Sequence, residues 1–198
     1  LSALVVSGAF LGCKTRSTQS AVSGDAAQKV YVAPGKYDEF YNIVSGGFSG
    51  QVSVYGLPSG RLFRVIPVFS VDPQSGYGYT EETKNMLNTS HGWIPWDDQH
   101  HIALSTTNGE HDGRWFFANG NNTPRIARVS FKTFNTEEII EIPNSNGNHS
   151  SPFITENTEY TIAGTRFAVP LDNNNDVPIT SYKENFRSTA SFIKVQPQ

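Results

Sequence analysis

The sequence predicts an all-β protein, and three observations carry that reading. Apolar and polar residues alternate with a period of two in many short stretches, the spacing at which successive side chains leave opposite faces of a strand. Clusters of Asn, Ser, Thr and Gly, the residues that turn a chain, separate those stretches. No amphipathic run of helical period reaches a useful length anywhere in the 198 residues. The strands also come in groups. Four short antiparallel strands within about forty residues, after which the pattern starts again, make consecutive blades of a β-propeller.

Length and composition fit one domain with a short appendage. Aromatic residues make up 12% and charged residues only 17% of the chain, with a net charge of -3. Such a balance builds no basic face, so nucleic acid is not an expected partner. A single Cys excludes an internal disulfide framework and any Cys-rich zinc or iron–sulfur site.

The N-terminal stretch from Leu1 to Gly12 is an apolar run followed by Cys13-Lys14. It reads as the core of a bacterial export signal, too short for the ~20 apolar residues that span a membrane. Leu11-Gly12-Cys13 matches a lipoprotein cleavage box, in which the Cys is lipidated; the alternative is an ordinary signal whose Cys is incidental. Either way the mature protein is exported, and a periplasmic location, with a lipid anchor through Cys13 on the first reading, is expected. Residues 1–13 are thus a signal remnant, 14–29 a Ser/Ala/Gln/Gly-rich flexible tether, and 30–198 a partial propeller domain.

Along that domain, residues 30–41 read as a lead-in with a Pro34-Gly35 turn. Gln51 to Gly56 alternates cleanly, Leu57-Pro58-Ser59-Gly60 turns the chain, and Arg61 to Phe69 returns as a buried strand. Ser70 to Asp97 shows no clean period and reads as a long loop over a site. A first full blade follows, with strands at 101–106, 114–119, 125–131 and 138–143 and a turn cluster at Asn108 to Gly113. The next unit starts at Asn148-His149 and continues through strands at 159–165, 166–170 and 186–195, with a loop at 172–176. About three blades fit into 30–198 at ~40–45 residues each, whereas closed propellers use ~4–8. An unclosed set leaves long, partly apolar edges open to pairing with other chains, so the chain is expected to be the front of a longer protein.

The chemistry gathers at Asp97-Asp98-Gln99-His100-His101, at the mouth of an apolar strand. Imidazole is the commonest ligand for zinc, copper, iron and nickel. His101 and His149 stand 48 residues apart, each at the head of the first strand of its unit. If that strand lines the central channel, the imidazoles of His100, His101 and His149 converge at one mouth of it. Two consecutive His on an extended strand point to opposite faces unless the backbone turns there. Such a pair suits a polynuclear centre. Asp98, and less directly Asp97, is a candidate to orient an imidazole through its second nitrogen. His111 in its turn reads as solvated, and His91 in the long loop could approach the site. Trp93, Trp96 and Trp115 read as packing residues.

These residues resemble a known family. Asp98-Gln99-His100-His101 resembles the Asp-x-His-His motif of nitrous oxide reductase. The segment from Asp112-Gly113-Arg114 through Arg125 to Val129, Lys132-Thr133 and Ile142-Pro143-Asn144 to His149 resembles the blade that follows it, and the likeness covers most of residues 30–170. The resemblance implies the N-terminal portion of a seven-bladed β-propeller, truncated before a cupredoxin domain. It implies a tetranuclear copper–sulfide cluster held by seven His, with His100, His101 and His149 as the first three ligands and so part of the catalytic site. It further implies a dinuclear copper site in the cupredoxin domain, calcium near the domain junction, a head-to-tail homodimer, and a periplasmic cytochrome c or cupredoxin as electron donor. The substrate would be N2O, reduced to N2 and water with two electrons and two protons in denitrification. Ser150-Ser151 after His149, where many members carry Gly, departs from the pattern. The N-terminus suggests general secretion or a lipoprotein instead of a twin-arginine signal. Without the remaining ligands this piece alone is expected to be inactive and poorly folded. Two other readings stay open: an exported noncatalytic propeller that binds a partner, and a single-metal propeller hydrolase or lactonase. The former does not need blade-phased His, and the latter would add Asp, Glu or Asn ligands on inner strands.

Overall fold

A computed structural model of the chain describes residues 24–143, 145–149, 152–170 and 177–196. The expected signal and Cys13 lie outside the described residues, as do most of the tether, the 172–176 loop, Asn144 and Ser150-Ser151. The last five tether residues, Asp25–Lys29, form a short helix α1.

Three antiparallel sheets follow one another along the chain. The first is a meander of β1 (Phe40–Ser45), β2 (Gln51–Leu57) and β3 (Leu62–Pro67). The loop between this sheet and the next carries helix α2 (Glu81–Met86) and a ribbon of β4 (Asn88–Thr89) and β5 (Gly92–Trp93). Thr80 caps α2 by accepting from the Thr83 amide at 3.2 Å, as a hydroxyl at that position should. The second sheet is the complete four-stranded blade, in order β6 (Gln99–Thr107), β7 (Glu110–Gly120), β8 (Arg125–Ser130) and β9 (Thr136–Glu141). The third unit begins with β10 (Phe153–Ile154) and β11 (Tyr160–Gly164). Then comes a ribbon of β12 (Val169–Pro170) and β13 (Phe186–Arg187), which holds helix α3 (Tyr182–Asn185) in its connection, and β14 (Ala190–Lys194) returns to pair with β11.

Several expectations change in detail. Phe40–Ser45 is a strand that the lead-in reading missed, because its sequence Phe-Tyr-Asn-Ile-Val-Ser has no clean alternation. β3 is mostly exposed; only Ile66 is fully buried. The predicted strand at 186–195 divides between two sheets. The cluster at 108–113 contracts to Asn108-Gly109, both at positive φ (53° and 79°), the two-residue turn that best matches strand twist. His111 therefore sits within β7 opposite Thr106, although it remains exposed.

The second blade is buried on both faces, which explains its sequence. Phe116, Ala118, Ala127 and Val129 pack with Val52, Val54 and Ile66 of the first sheet. The alternate residues Trp115, Phe117 and Ile126 pack with Ala163, Ile154 and Ile193 of the third. A strand that is apolar at every position, as β7 is from Trp115 to Ala118, is one sandwiched between two sheets. The first strand of the blade, β6, contacts β1 and β10, the first strands of the sheets on either side. Equivalent positions of successive sheets thus meet, as the blade reading requires. In the intact protein, Phe116→Ala should lower unfolding free energy by about 3–5 kcal/mol, while exposed Glu110→Ala should stay within about 0.5 kcal/mol. Denaturant midpoints read both.

Candidate metal centre

His100 and His101 open β6, and the ladder is irregular there. Gln99 faces Gly120 and Ile102 faces Ala118, so the two His together stand opposite Asn119 alone. This is a β-bulge, which re-aims side chains that a regular strand would send to opposite faces. His149 arrives on the segment that precedes β10. The rings of His100 and His149 lie 5.1 Å apart centre to centre, those of His101 and His149 also 5.1 Å, and those of His100 and His101 6.1 Å. One nitrogen from each lies within 4.8 Å of the others.

A donor set of three imidazoles fits a borderline or soft transition metal. With metal–nitrogen bonds of ~2.1 Å, two nitrogens on one ion can be no more than ~4.2 Å apart. The cluster is therefore within a small closing movement of gripping one ion, or wide enough to share several. His100 is half-buried, whereas His101 and His149 are exposed, so further ligands have access to the cluster. Partial desolvation by the residues packed around the ring, and then the neighbouring His149 and His100, push the His101 pKa down, favouring the neutral, ligating form.

Asp98 lies against the ring of His100. Its Oδ2 lies 2.8 Å from His100 Nε2 and accepts from Asn121 Nδ2 at 2.9 Å. A carboxylate there holds the proton on Nε2, leaving Nδ1 as the nitrogen that can bind a metal. Asp97 does something else. Its buried carboxylate accepts from the amides of Asp98 (2.7 Å), Asn122 (2.9 Å) and Thr123 (3.0 Å), and from the Thr123 hydroxyl. It thereby ties the head of β6 to the β7–β8 connection. Gly120 is obligatory at this crossing, since a methyl group would collide with the Asp97 carboxylate and the Thr123 carbonyl.

Two contributors were not legible as such in the sequence. Arg125, wholly buried, lies 3.5 Å from Asp97 and donates to the carbonyls of Ile94 (3.0 Å) and Trp96 (2.8 Å), fixing the approach to the His pair. Asn119, also wholly buried, accepts from the His101 amide at 2.5 Å and donates to the Asn148 carbonyl. Nothing in a polar residue at the start or end of a strand marks either role. His91 stays apart, lining with Glu141 and Ile142 a cavity of about 690 Å³ to which none of the three His contributes. Trp115 is packed as expected, but Trp93 and Trp96 are surface residues. Trp96 stacks on Phe48 with its indole N–H donating to the Phe48 carbonyl at 2.8 Å.

No family model matches the chain. Curated sequences do. Nitrous-oxide reductase of Pseudomonas fluorescens is 35% identical over 167 residues, 82% of this chain. The nitrous-oxide reductase of Stutzerimonas stutzeri is 32% identical over 89% of this chain, and that of Cupriavidus necator 33% over 82%. The chain is related to the nitrous-oxide reductases. It spans 25–27% of the length of these relatives. Among solved structures, hydrazine synthase of Kuenenia stuttgartiensis shares the fold with a TM-score of 0.50 at 14% identity, over 79% of this chain and 36% of that one.

The electrostatics of the triad can be tested directly. A lowered pKa means that His101 takes up its proton at a lower pH than the ~6.5 of a free imidazole. Removing one neighbour with His149→Ala should move that titration upward, followed by the His101 ring-proton NMR shift against pH. An unchanged or lower midpoint would refute the coupling. The sign for stability follows. The unfolded chain binds this proton more readily, so the contribution is absent above the ordinary value and destabilises the fold progressively as pH drops below it.

Proposed function

We propose that this chain supplies His100, His101 and His149 as copper ligands of an N2O-reducing enzyme, and that further ligands, on blades beyond those described, complete a tetranuclear copper–sulfide cluster. The observation that carries the reading is the convergence of three blade-phased imidazoles at the bulge of β6, in a chain whose relatives are named nitrous-oxide reductase. The imidazole donors fit copper, and the chain offers no Cys within the described residues to compete for it.

Copper held by His100, His101 and His149 would offer N2O a Lewis-acidic surface and a route for electrons from a donor, the chemistry that reduction to N2 and water with two electrons and two protons requires. This chain's residues hold that surface in place. Asp98 keeps the His100 proton on Nε2 and so presents Nδ1. The depressed His101 pKa keeps its lone pair free at neutral pH, and the bulge allows two consecutive rings to serve one centre. The same reading includes an exported, periplasmic protein, a seven-bladed propeller with a cupredoxin domain carrying a dinuclear copper site, calcium at their junction, a head-to-tail homodimer, and a cytochrome c or cupredoxin as donor. By itself the part carrying three of the ligands would be inactive.

The test is made on the intact protein loaded with copper. His149→Ala should lower copper content and abolish N2O reduction assayed with a chemical reductant, and chelation should do the same to the parent. Copper content and turnover unchanged in His149→Ala would refute the assignment. Because protons compete with the metal for imidazole nitrogens, copper affinity should also fall as the solution is acidified, read by competition with a chromophoric chelator.

A further inference from the structure

We infer that Asn119 is a positioning residue for the metal centre, setting the spacing between the His101 and His149 ligands through the two ends of its own amide. The inference rests on the metal-site reading above and adds to it a residue that touches no ligand ring.

A bulge leaves a strand amide without its ladder partner, and here that amide belongs to His101. Asn119 Oδ1 accepts from it at 2.5 Å, while Asn119 Nδ2 donates to the carbonyl of Asn148, the residue just before His149. One planar group, wholly buried, thus joins the backbones of two ligands carried by different blades. Its neighbours repeat the pattern. The Gly120 carbonyl accepts from the Asn148 amide at 3.1 Å, and the Asn121 amide donates to the Asp98 carbonyl at 2.9 Å. Asn121 Nδ2 reaches Asp98 Oδ2 at 2.9 Å. Gly147, at a φ of +75°, brings the His149 segment so close that a methyl group there would strike the Asn121 carbonyl. Three consecutive residues at the end of β7 therefore grip both histidine-bearing segments from behind.

The chemistry needs an amide at 119 and not merely a small polar group. The His101 amide requires an acceptor and the Asn148 carbonyl a donor, in opposite directions from one side chain. Asp keeps the shape and the acceptor but loses the donor, turning an oxygen toward the Asn148 carbonyl. Ala loses both and leaves two buried backbone groups unpaired. Groups that orient metal ligands through hydrogen bonds typically change metal affinity 10–100-fold.

The experiment compares Asn119→Asp, Asn119→Ala and Ser105→Ala in the intact protein, with Cu(II) as the probe. Ser105 serves as a control because it makes a comparable buried bond, accepting from the Trp115 amide at 2.9 Å near the far end of the same strand pair. Both Asn119 variants should bind copper about ten-fold or more weakly, with altered electron paramagnetic resonance parameters. Ser105→Ala should lose thermal stability while keeping the parent spectrum. In the metal-free protein, hydrogen exchange at the His101 amide should accelerate in Asn119→Ala and not in Ser105→Ala. Parent-like copper affinity and spectrum in Asn119→Asp, or unchanged exchange in Asn119→Ala, would overturn the inference. If Asn119→Ala does not fold, the near-isosteric Asp variant decides through affinity and spectrum. If the parent binds no copper, the metal-site reading fails, and the exchange measurement still judges the clamp.

Discussion

The site depends on a local failure of strand pairing. Between Gln99 and Ile102 the β6–β7 ladder loses step, and only because it does can two adjacent side chains share a centre with a third from the next blade. A bulge is costly where it leaves backbone groups buried and unpaired. Here the cost is offset by side chains from β7, from β6 itself and from the first sheet. Asn119 takes the His101 amide, the Gln99 side chain reaches the His101 carbonyl at 3.1 Å, and the Gln99 carbonyl accepts from Ser45 of the first sheet. The Asp97 carboxylate and Arg125 guanidinium lock the approach from below. Polar burial is concentrated in this corner because the backbone here departs from regular pairing.

Rigidity comes from the sheets around it. The middle blade is clamped on both faces, by Phe116 toward one neighbour and Phe117 toward the other. Ties at the opposite end reinforce the contact with the third unit: the Thr106 amide donates to Thr158 Oγ1 at 2.8 Å, and the same hydroxyl donates back to the Thr106 carbonyl at 2.8 Å. With both ends of β6 held, the His pair sits on a strand tied to the sheets on either side. The outer faces of the terminal sheets tell the opposite story. Leu62 on one, and Phe153 and Phe192 on the other, are more than half exposed, as inner faces of a larger stack would be if viewed alone.

Much of this architecture is legible in the sequence. The four strands of the middle blade are legible because short alternating or continuously apolar runs stand between clusters of turn-forming residues. The His triad was legible because repeat spacing converts a distance along the chain into a shared direction in space. What escaped was decided by long-range contact. β1 pairs through its backbone with little apolar signal of its own. The 186–195 strand divides because its halves find different partners across the fold. Arg125 reads in sequence as the polar start of an alternating strand, yet it is wholly buried, since its partners Asp97, Ile94 and Trp96 lie about thirty residues upstream. Asn119 looks like an ordinary strand end. The adjacency of His100 and His101, puzzling on a regular strand, was itself the sign that the backbone must turn there.

The most direct test of the account is anomalous diffraction at the copper edge from crystals of the intact, copper-loaded protein. Copper is expected within bonding distance of one nitrogen from each of His100, His101 and His149, with His100 bound through Nδ1 and its Nε2 still on Asp98. Copper elsewhere, or an ordered His triad with no metal density in an active preparation, would contradict it.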